Sequence, residues 1–326
     1  MRGTAVLNRQ SGGLREIDLD DFSDRLRTAF AASGHDLAIR VVEGRDLPDT
    51  LERIGDDPDS ELLVAAGGDG TLSAAAGIAW RKDKVFGALP GGTMNLVSRS
   101  LRLPQNPHDA IDALAAGQES RIDIATANER PFLHEFSAGF RPRMVKTRQA
   151  FHYSSRLGKV LASLRALLIT ASRPPVLDVM IETDTARRRE TASLIAISNN
   201  LYGKGHFPYA DRLDEGTLGL YQVGLLGRRR GFRLTTALIV GNWQENPDVT
   251  ITKSRRVHLS FEHLSGTAHC IVDGELASLE AKVTLQVHPG ALRCLMPRID
   301  TPHGSLRDFV TTAKAGGGGF SLPRRV

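Results

Sequence analysis

Three short stretches of this 326-residue chain hold residue types whose chemistry goes beyond packing. They are Gly67-Gly68-Asp69-Gly70-Thr71, Pro90-Gly91-Gly92-Thr93-Met94-Asn95 and Asp273-Gly274-Glu275. Glycines strip side chains from a turn and let backbone N–H groups approach a phosphate closely. A helix opening at Thr71 would add the positive end of its dipole. Asp69 puts a carboxylate into that anion-friendly turn, which makes sense where a metal ion bridges carboxylate and phosphate. A single Gly-Gly after a strand is ordinarily only a tight turn. Two of them about 24 residues apart, one strand–helix unit, would face one crevice at the carboxyl ends of adjacent strands. In the third stretch a glycine lets two carboxylates turn toward one point, although Asp-Gly is also the commonest hairpin signal.

The elements around these turns follow from hydrophobic periodicity. Apolar runs at 4–8, 37–42, 62–66 and 85–89 read as strands buried in a parallel sheet. Helical patterns at 20–33, with Phe22, Leu26 and Phe30 four apart, and at 47–54 and 72–80 lie between them. Helices at 95–101 and 107–116 follow the second glycine turn. From residue 121 the pattern changes to strands: 122–127, 132–138, 176–182, 193–198, 218–225, 257–262, 267–272 and 283–287, interrupted by helices at 155–171 and 229–240. Alternating strands and helices followed by a run of strands argue an α/β domain and then a mainly β domain. The expected division is 1–125 and 126–298, with 299–326 an extension that could hold a short helix near 306–313 and ends in a flexible, basic tail.

Gly-Gly-Asp-Gly-Thr followed by Pro-Gly-Gly-Thr-Met-Asn resembles the diacylglycerol kinase catalytic-domain family, which includes bacterial lipid kinases and sphingosine kinases and is related to NAD kinases. The resemblance implies an N-terminal Rossmann-like parallel α/β nucleotide domain and a C-terminal β-sandwich-like domain. It implies ATP and Mg²⁺ as nucleotide and metal, with Gly67, Gly68, Asp69, Gly70, Thr71, Gly91, Gly92, Thr93 and Asn95 around the nucleotide. The turn after the first strand resembles the family's Asn-Pro-x-Ser-Gly, with Arg9 in place of proline, and would bring Asn8, Ser11 and Gly12 to the same ligand. Asp273 resembles the family's general base, Glu275 its metal-binding or base-sharing neighbour, and Asp69 the organiser of Mg²⁺. An acidic-glycine turn at 211–216 resembles one that holds a structural Mg²⁺, which makes Asp211, Asp214 and Glu215 candidate ligands. His206, in the glycine-rich turn before it, is a further candidate for ligand contact. By this likeness the chain is an ATP-dependent lipid kinase acting on a diacylglycerol- or sphingosine-like hydroxyl. The alternatives are phosphorylation of a soluble alcohol such as NAD, and a silent lipid- or nucleotide-binding regulator.

Composition narrows the partners. No Walker A pattern and no HRD or DFG set occurs, which excludes P-loop enzymes and ordinary protein kinases. No run reaches the roughly 18 apolar residues of a membrane span, and no signal-like N-terminus is present, so a cytoplasmic protein is expected. Cys270 and Cys294 read as reduced thiols. Residues 1–125 hold 14 Lys/Arg against 20 Asp/Glu, whereas the rest holds 28 against 17. A basic second half suits a peripheral contact with an anionic membrane surface presenting a lipid substrate, and no nucleic-acid motif appears. The aliphatic segment 160–169 could line a lipid channel. A homodimer stays open.

Overall fold

β1 (Arg2–Asn8), β2 (Asp36–Val42), β3 (Leu62–Gly67) and β4 (Val85–Pro90) pair in the order β2-β1-β3-β4, all parallel. The helices between them, α1 (Leu19–Ala32), α2 (Leu47–Asp56) and α3 (Asp69–Arg81), supply the crossovers that parallel pairing requires. β3 and β4 are buried at every residue, as strands covered on both faces must be. The computed structural model describes residues 1–149, 174–204, 209–227, 242–262, 264 and 268–298, together with 230, 231, 233, 234, 236 and 237. The helix expected at 155–171, half of that at 229–240, the segment 160–169, His206 and the extension from 299 onward lie outside the described residues.

After β4 come α4 (Leu96–Ser100), α5 (Pro107–Ala115) and β5 (Gln118–Ala127). The second half then holds β6 (Arg130–Phe132), β7 (Glu135–Gly139), α6 (Phe140–Gln149), β8 (Leu177–Thr183), β9 (Arg187–Ala192) and β10 (Leu194–Asn199). It continues with β11 (Leu218–Val223), β12 (Val249–Ser254), β13 (Arg256–Glu262), β14 (His269–Val272), β15 (Glu275–Ser278) and β16 (Lys282–Met296). One sheet runs β12-β11-β10-β7-β14-β15 and is antiparallel throughout. It packs its inward residues, among them Phe136, Ile195, Ile197 and Leu220, against Val179, Ile181, Leu259 and Leu285 of the facing layer. The result is an α/β nucleotide-type domain followed by a β-sandwich, the fold class expected from the sequence.

The facing layer is continuous with the parallel sheet. β16 pairs antiparallel with β13 through Lys282–Gln286, and its far end lies parallel to β4 at Cys294 opposite Phe86. The strand expected at 283–287 is therefore fifteen residues long and joins the two halves. Its ladder with β5 slips between His288 and Leu292, and Asp123 of β5 fills the irregularity. The buried Asp123 carboxylate accepts from Gly290 N–H at 2.8 Å and Gly216 N–H at 2.6 Å. β9 and β12 escaped the sequence reading because both are sheet edges, where Arg187-Arg188-Arg189 and an exposed Thr/Lys pattern dilute the apolar signal. Among the described residues no helix is long and apolar enough to cross a membrane. Asp123→Ala strands two N–H groups at the seam and is expected to cost about 3 kcal/mol, read as a lowered urea midpoint.

Candidate active site

Strand order reverses between β1 and β3, and the turns that follow β1, β3 and β4 meet at that switch point. The contact is close. Gly13 N–H donates to Gly91 O and Gly91 N–H to Gly67 O, both at 2.8 Å. A Cβ on Gly92 would stand 2.7 Å from Gly68 Cα, so these turns touch only because neither has a side chain there. Asn8 Nδ2 donates to Thr71 Oγ1 at 3.0 Å, and Gly68 N–H reaches Ser11 Oγ at 3.3 Å. Gly12 faces Thr93, whose Oγ1 lies 3.5 Å from where a Cβ would be. Asn95 takes the left-handed conformation at φ 53° and folds its Oδ1 back onto Gly92 N–H at 2.8 Å. All the residues expected around a nucleotide thus belong to one three-turn cradle.

Asp69 begins α3, whose alanine-rich face packs Leu72, Ala75, Ala76 and Ala79 into the core. Its Oδ1 accepts from Val97 N–H at 2.9 Å, so the same carboxylate caps the start of α4. Burial pushes the Asp69 carboxyl above its ordinary value, against the pull of the Val97 and Leu96 N–H groups and Arg99. One turn further along α3, on the same face, Ser73 donates its hydroxyl to Asp273 Oδ2. Gly77 lets Pro131 of β6 sit against α3, since a Cβ there would lie 2.6 Å from the proline ring. α3 is therefore the element that carries the cradle to the second domain's carboxylates.

Asp273 and Gly274 form the turn of the β14–β15 hairpin, with φ of 47° and 85° as a type I′ turn requires. The hairpin reading and the chemical reading of this Asp-Gly pair hold together. The Asp273 side chain points inward and is 3% exposed. Besides Ser73, it accepts from Leu133 N–H at 2.7 Å on Oδ2, and from His134 and Glu135 N–H at 2.8 Å on Oδ1. Those donors come from a break between β6 and β7, inside what reads in the sequence as one strand over 132–138. Burial raises the Asp273 carboxyl, while Ser73, His134 and the N–H groups pull it down. Glu275 stands beside it at the start of α3: a Cβ on Gly70 would lie 2.5 Å from Glu275 Oε1. Its other oxygen pairs with Arg130 at 3.1 Å.

A cleft of about 270 Å³ opens over this hairpin, between α2 and α3 on one side and β6 and β14–β15 on the other. Leu51, Ala74, Ile78, Pro131 and Val272 give it apolar walls, Glu52, Arg81 and Arg130 also line it, and Ser73 is at its floor with Asp273 and Glu275. Behind Asp273, buried Glu135 accepts from Arg141 Nη1 and, at 2.6 Å, from Tyr202 Oη. Sequence reasoning missed Ser73, Glu135 and Tyr202. Ser73 had a usable signal in its four-residue spacing from Asp69, whereas Glu135 and Tyr202 meet only through tertiary pairing.

The acidic turn behaves differently. Asp214 pairs with Arg212 at 3.0 Å on the surface, Asp211 presents its carbonyl to Arg102 at 2.9 Å, and Glu215 N–H binds Asn200 Oδ1 at 2.9 Å. Among the described residues no three His, Cys, Asp or Glu side chains are grouped to hold a metal, and Asp211, Asp214 and Glu215 make their contacts to Arg102, Arg212 and Asn200.

Burial works to raise the Glu135 carboxyl, but Arg141, His134 and Tyr202 outweigh it and hold the group below its ordinary value. A depressed folded value means stability present above the unfolded pKa of about 4.3 and lost as pH falls through the folded one. Glu135→Gln is expected to be less stable than the wild type near neutral pH and to converge with it in acid. Urea midpoints measured from about pH 7 to about pH 3 check this.

The model of the diacylglycerol kinase catalytic domain matches residues 2–127, and that of the YegS C-terminal NAD kinase beta sandwich-like domain matches 137–296. An uncharacterized Synechocystis protein, sll0036, is 25% identical over 269 residues, which are 78% of this chain and 60% of that one. A diacylglycerol kinase of Staphylococcus epidermidis is 28% identical over 222 residues, covering 64% of this chain and 70% of its own. That of Staphylococcus carnosus is 29% identical, covering 67% and 71%. The chain thus spans 60 to 71% of the length of these relatives. A crystal structure of a Bacillus anthracis protein assigned as a diacylglycerol kinase superposes with a TM-score of 0.71 at 21% identity, over 92% of this chain and 98% of that one. At that identity the likeness is one of fold. Residues 2–127 thus carry the catalytic domain of the diacylglycerol kinase family, followed in order by the YegS-type sandwich domain at 137–296.

Proposed function

We propose that the protein is an ATP-dependent lipid kinase that transfers the γ-phosphate of MgATP to a hydroxyl of a diacylglycerol-like lipid. The observation that carries this reading is the apolar cleft, which opens on Asp273 and Glu275 and abuts the start of α3. A donor held in the glycine cradle and an acceptor held in the cleft would meet over that first turn. Phosphoryl transfer needs positioning, charge neutralisation and a proton acceptor more than covalent help. The cradle's N–H groups and the α3 dipole would position and neutralise phosphates, and Asp69 and Glu275 would be the carboxylates that hold the Mg²⁺ accompanying ATP. Asp273 is the proton acceptor. Burial lifts its carboxyl above the ordinary range, which suits a base. Aliphatic walls favour an acyl or sphingoid chain over a soluble alcohol, and the basic second half suits a peripheral approach to anionic lipid.

Purified protein, labelled ATP, Mg²⁺ and a panel of lipid and soluble alcohols provide the test, with Asp273→Ala alongside. Label is expected on a lipid hydroxyl, and the variant is expected to lose about a hundredfold or more. Label on a soluble alcohol alone would keep the kinase and discard the lipid. ATP binding without any transfer would favour a regulator that has kept the fold.

A further inference from the structure

A carboxylate offers about four lone-pair sites, and Asp273 fills them all: Leu133 N–H and Ser73 O–H on Oδ2, His134 and Glu135 N–H on Oδ1. Three of these donors are main-chain N–H groups at the break between β6 and β7. They cannot move without unpicking the strands, and an amide N–H does not give up its proton under these conditions. Ser73 is the remaining donor, and it differs in kind. Its hydroxyl can pass a proton along the bond it already makes, while its own lone pairs stay free to accept another. It is also a cleft residue, 7% exposed, on the floor over which an acceptor would lie.

We propose that Ser73 is a catalytic residue that relays the acceptor's proton to Asp273, so that Asp273 serves as base without touching the substrate. This rests on the kinase reading above. The acceptor oxygen bonds to the γ-phosphorus as the bond from that phosphorus to the β,γ-bridging oxygen breaks, and ADP leaves with the electron pair. The acceptor's proton passes to Ser73 Oγ while the Ser73 proton passes to Asp273 Oδ2, which leaves a neutral serine and a neutral carboxylic acid. That acid returns its proton to solvent after the products depart. Transfer along the Ser73–Asp273 bond is the route that keeps all four donors in place. Direct attack by Asp273 on the acceptor proton would first have to expel the Ser73 hydroxyl.

The two routes predict opposite behaviour at residue 73. Ser73→Ala is expected to lower kcat about a hundredfold with the KM for ATP nearly unchanged, and to melt within a few degrees of the wild type. Ser73→Thr and Ser73→Val form a second pair with the same bulk in the cleft. The threonine variant is expected to keep activity within about tenfold, and the valine variant to fall with alanine. A kcat for Ser73→Ala within about threefold of the wild type, or equal rates for threonine and valine, would overturn the relay and leave the kinase intact. Wild-type protein that binds ATP yet labels no alcohol would overturn the kinase reading, and the relay with it.

Discussion

The buried negative charge of Asp273 is the constraint that the centre of this molecule is built to meet. An isolated carboxylate in such a place would cost several kcal/mol, and the cost is offset only if each oxygen finds donors. Among the described residues no lysine or arginine pairs with it. The donors are instead backbone N–H groups, and backbone groups become available only where a strand stops pairing. Strands β6 and β7 therefore break at Leu133 and His134, and the three amides freed there close on the carboxylate. The type I′ turn of β14–β15 aims the side chain inward, and the Ser73 hydroxyl completes the set from the other domain. A single ionised group thus fixes a hairpin, a strand break and the docking of α3.

Much of this was legible in the residues. The glycine cradle could be read because close backbone approach has a composition: Gly67, Gly91 and Gly92 leave no room for a Cβ where the turns touch. The parallel sheet was readable because β3 and β4 are apolar without interruption. The strand break was not readable, since Phe132 to Ala138 alternates as a single strand would, and the reason for stopping lies about 140 residues away at Asp273. The acidic turn at 211–215 shows the opposite case. Three carboxylates close in sequence suggested a cage, but Asp214 pairs with Arg212, and the contacts that Asp211 and Glu215 make to Arg102 and Asn200 go through their main chain.

The Glu135–Arg141–Tyr202 cluster stands behind Asp273 as its support. Glu135 gives its N–H to Asp273 and its carboxylate to Arg141 and Tyr202, so one residue joins the two buried anions through covalent backbone. Tyr202 in turn stacks on Tyr221 with ring centroids 4.8 Å apart, and Tyr221 Oη accepts from Tyr202 N–H at 2.7 Å. This aromatic layer ties the Asp273 hairpin to the outer face of the sandwich.

β16 limits how the two halves can move. A strand that is hydrogen-bonded to both halves of one continuous sheet behaves as an axle, and neither half can slide along it without breaking a ladder. Compliance is left at the slip between His288 and Leu292, where Gly290 sits at φ 57° and pairing lapses. Asp123 grips that point from β5 and, through Gly216, from the loop before β11. Any closing of the cleft would therefore be a torsion about one short stretch of strand rather than the swing of a free linker. The stiffness of that torsion would be set by a carboxylate remote from the chemistry.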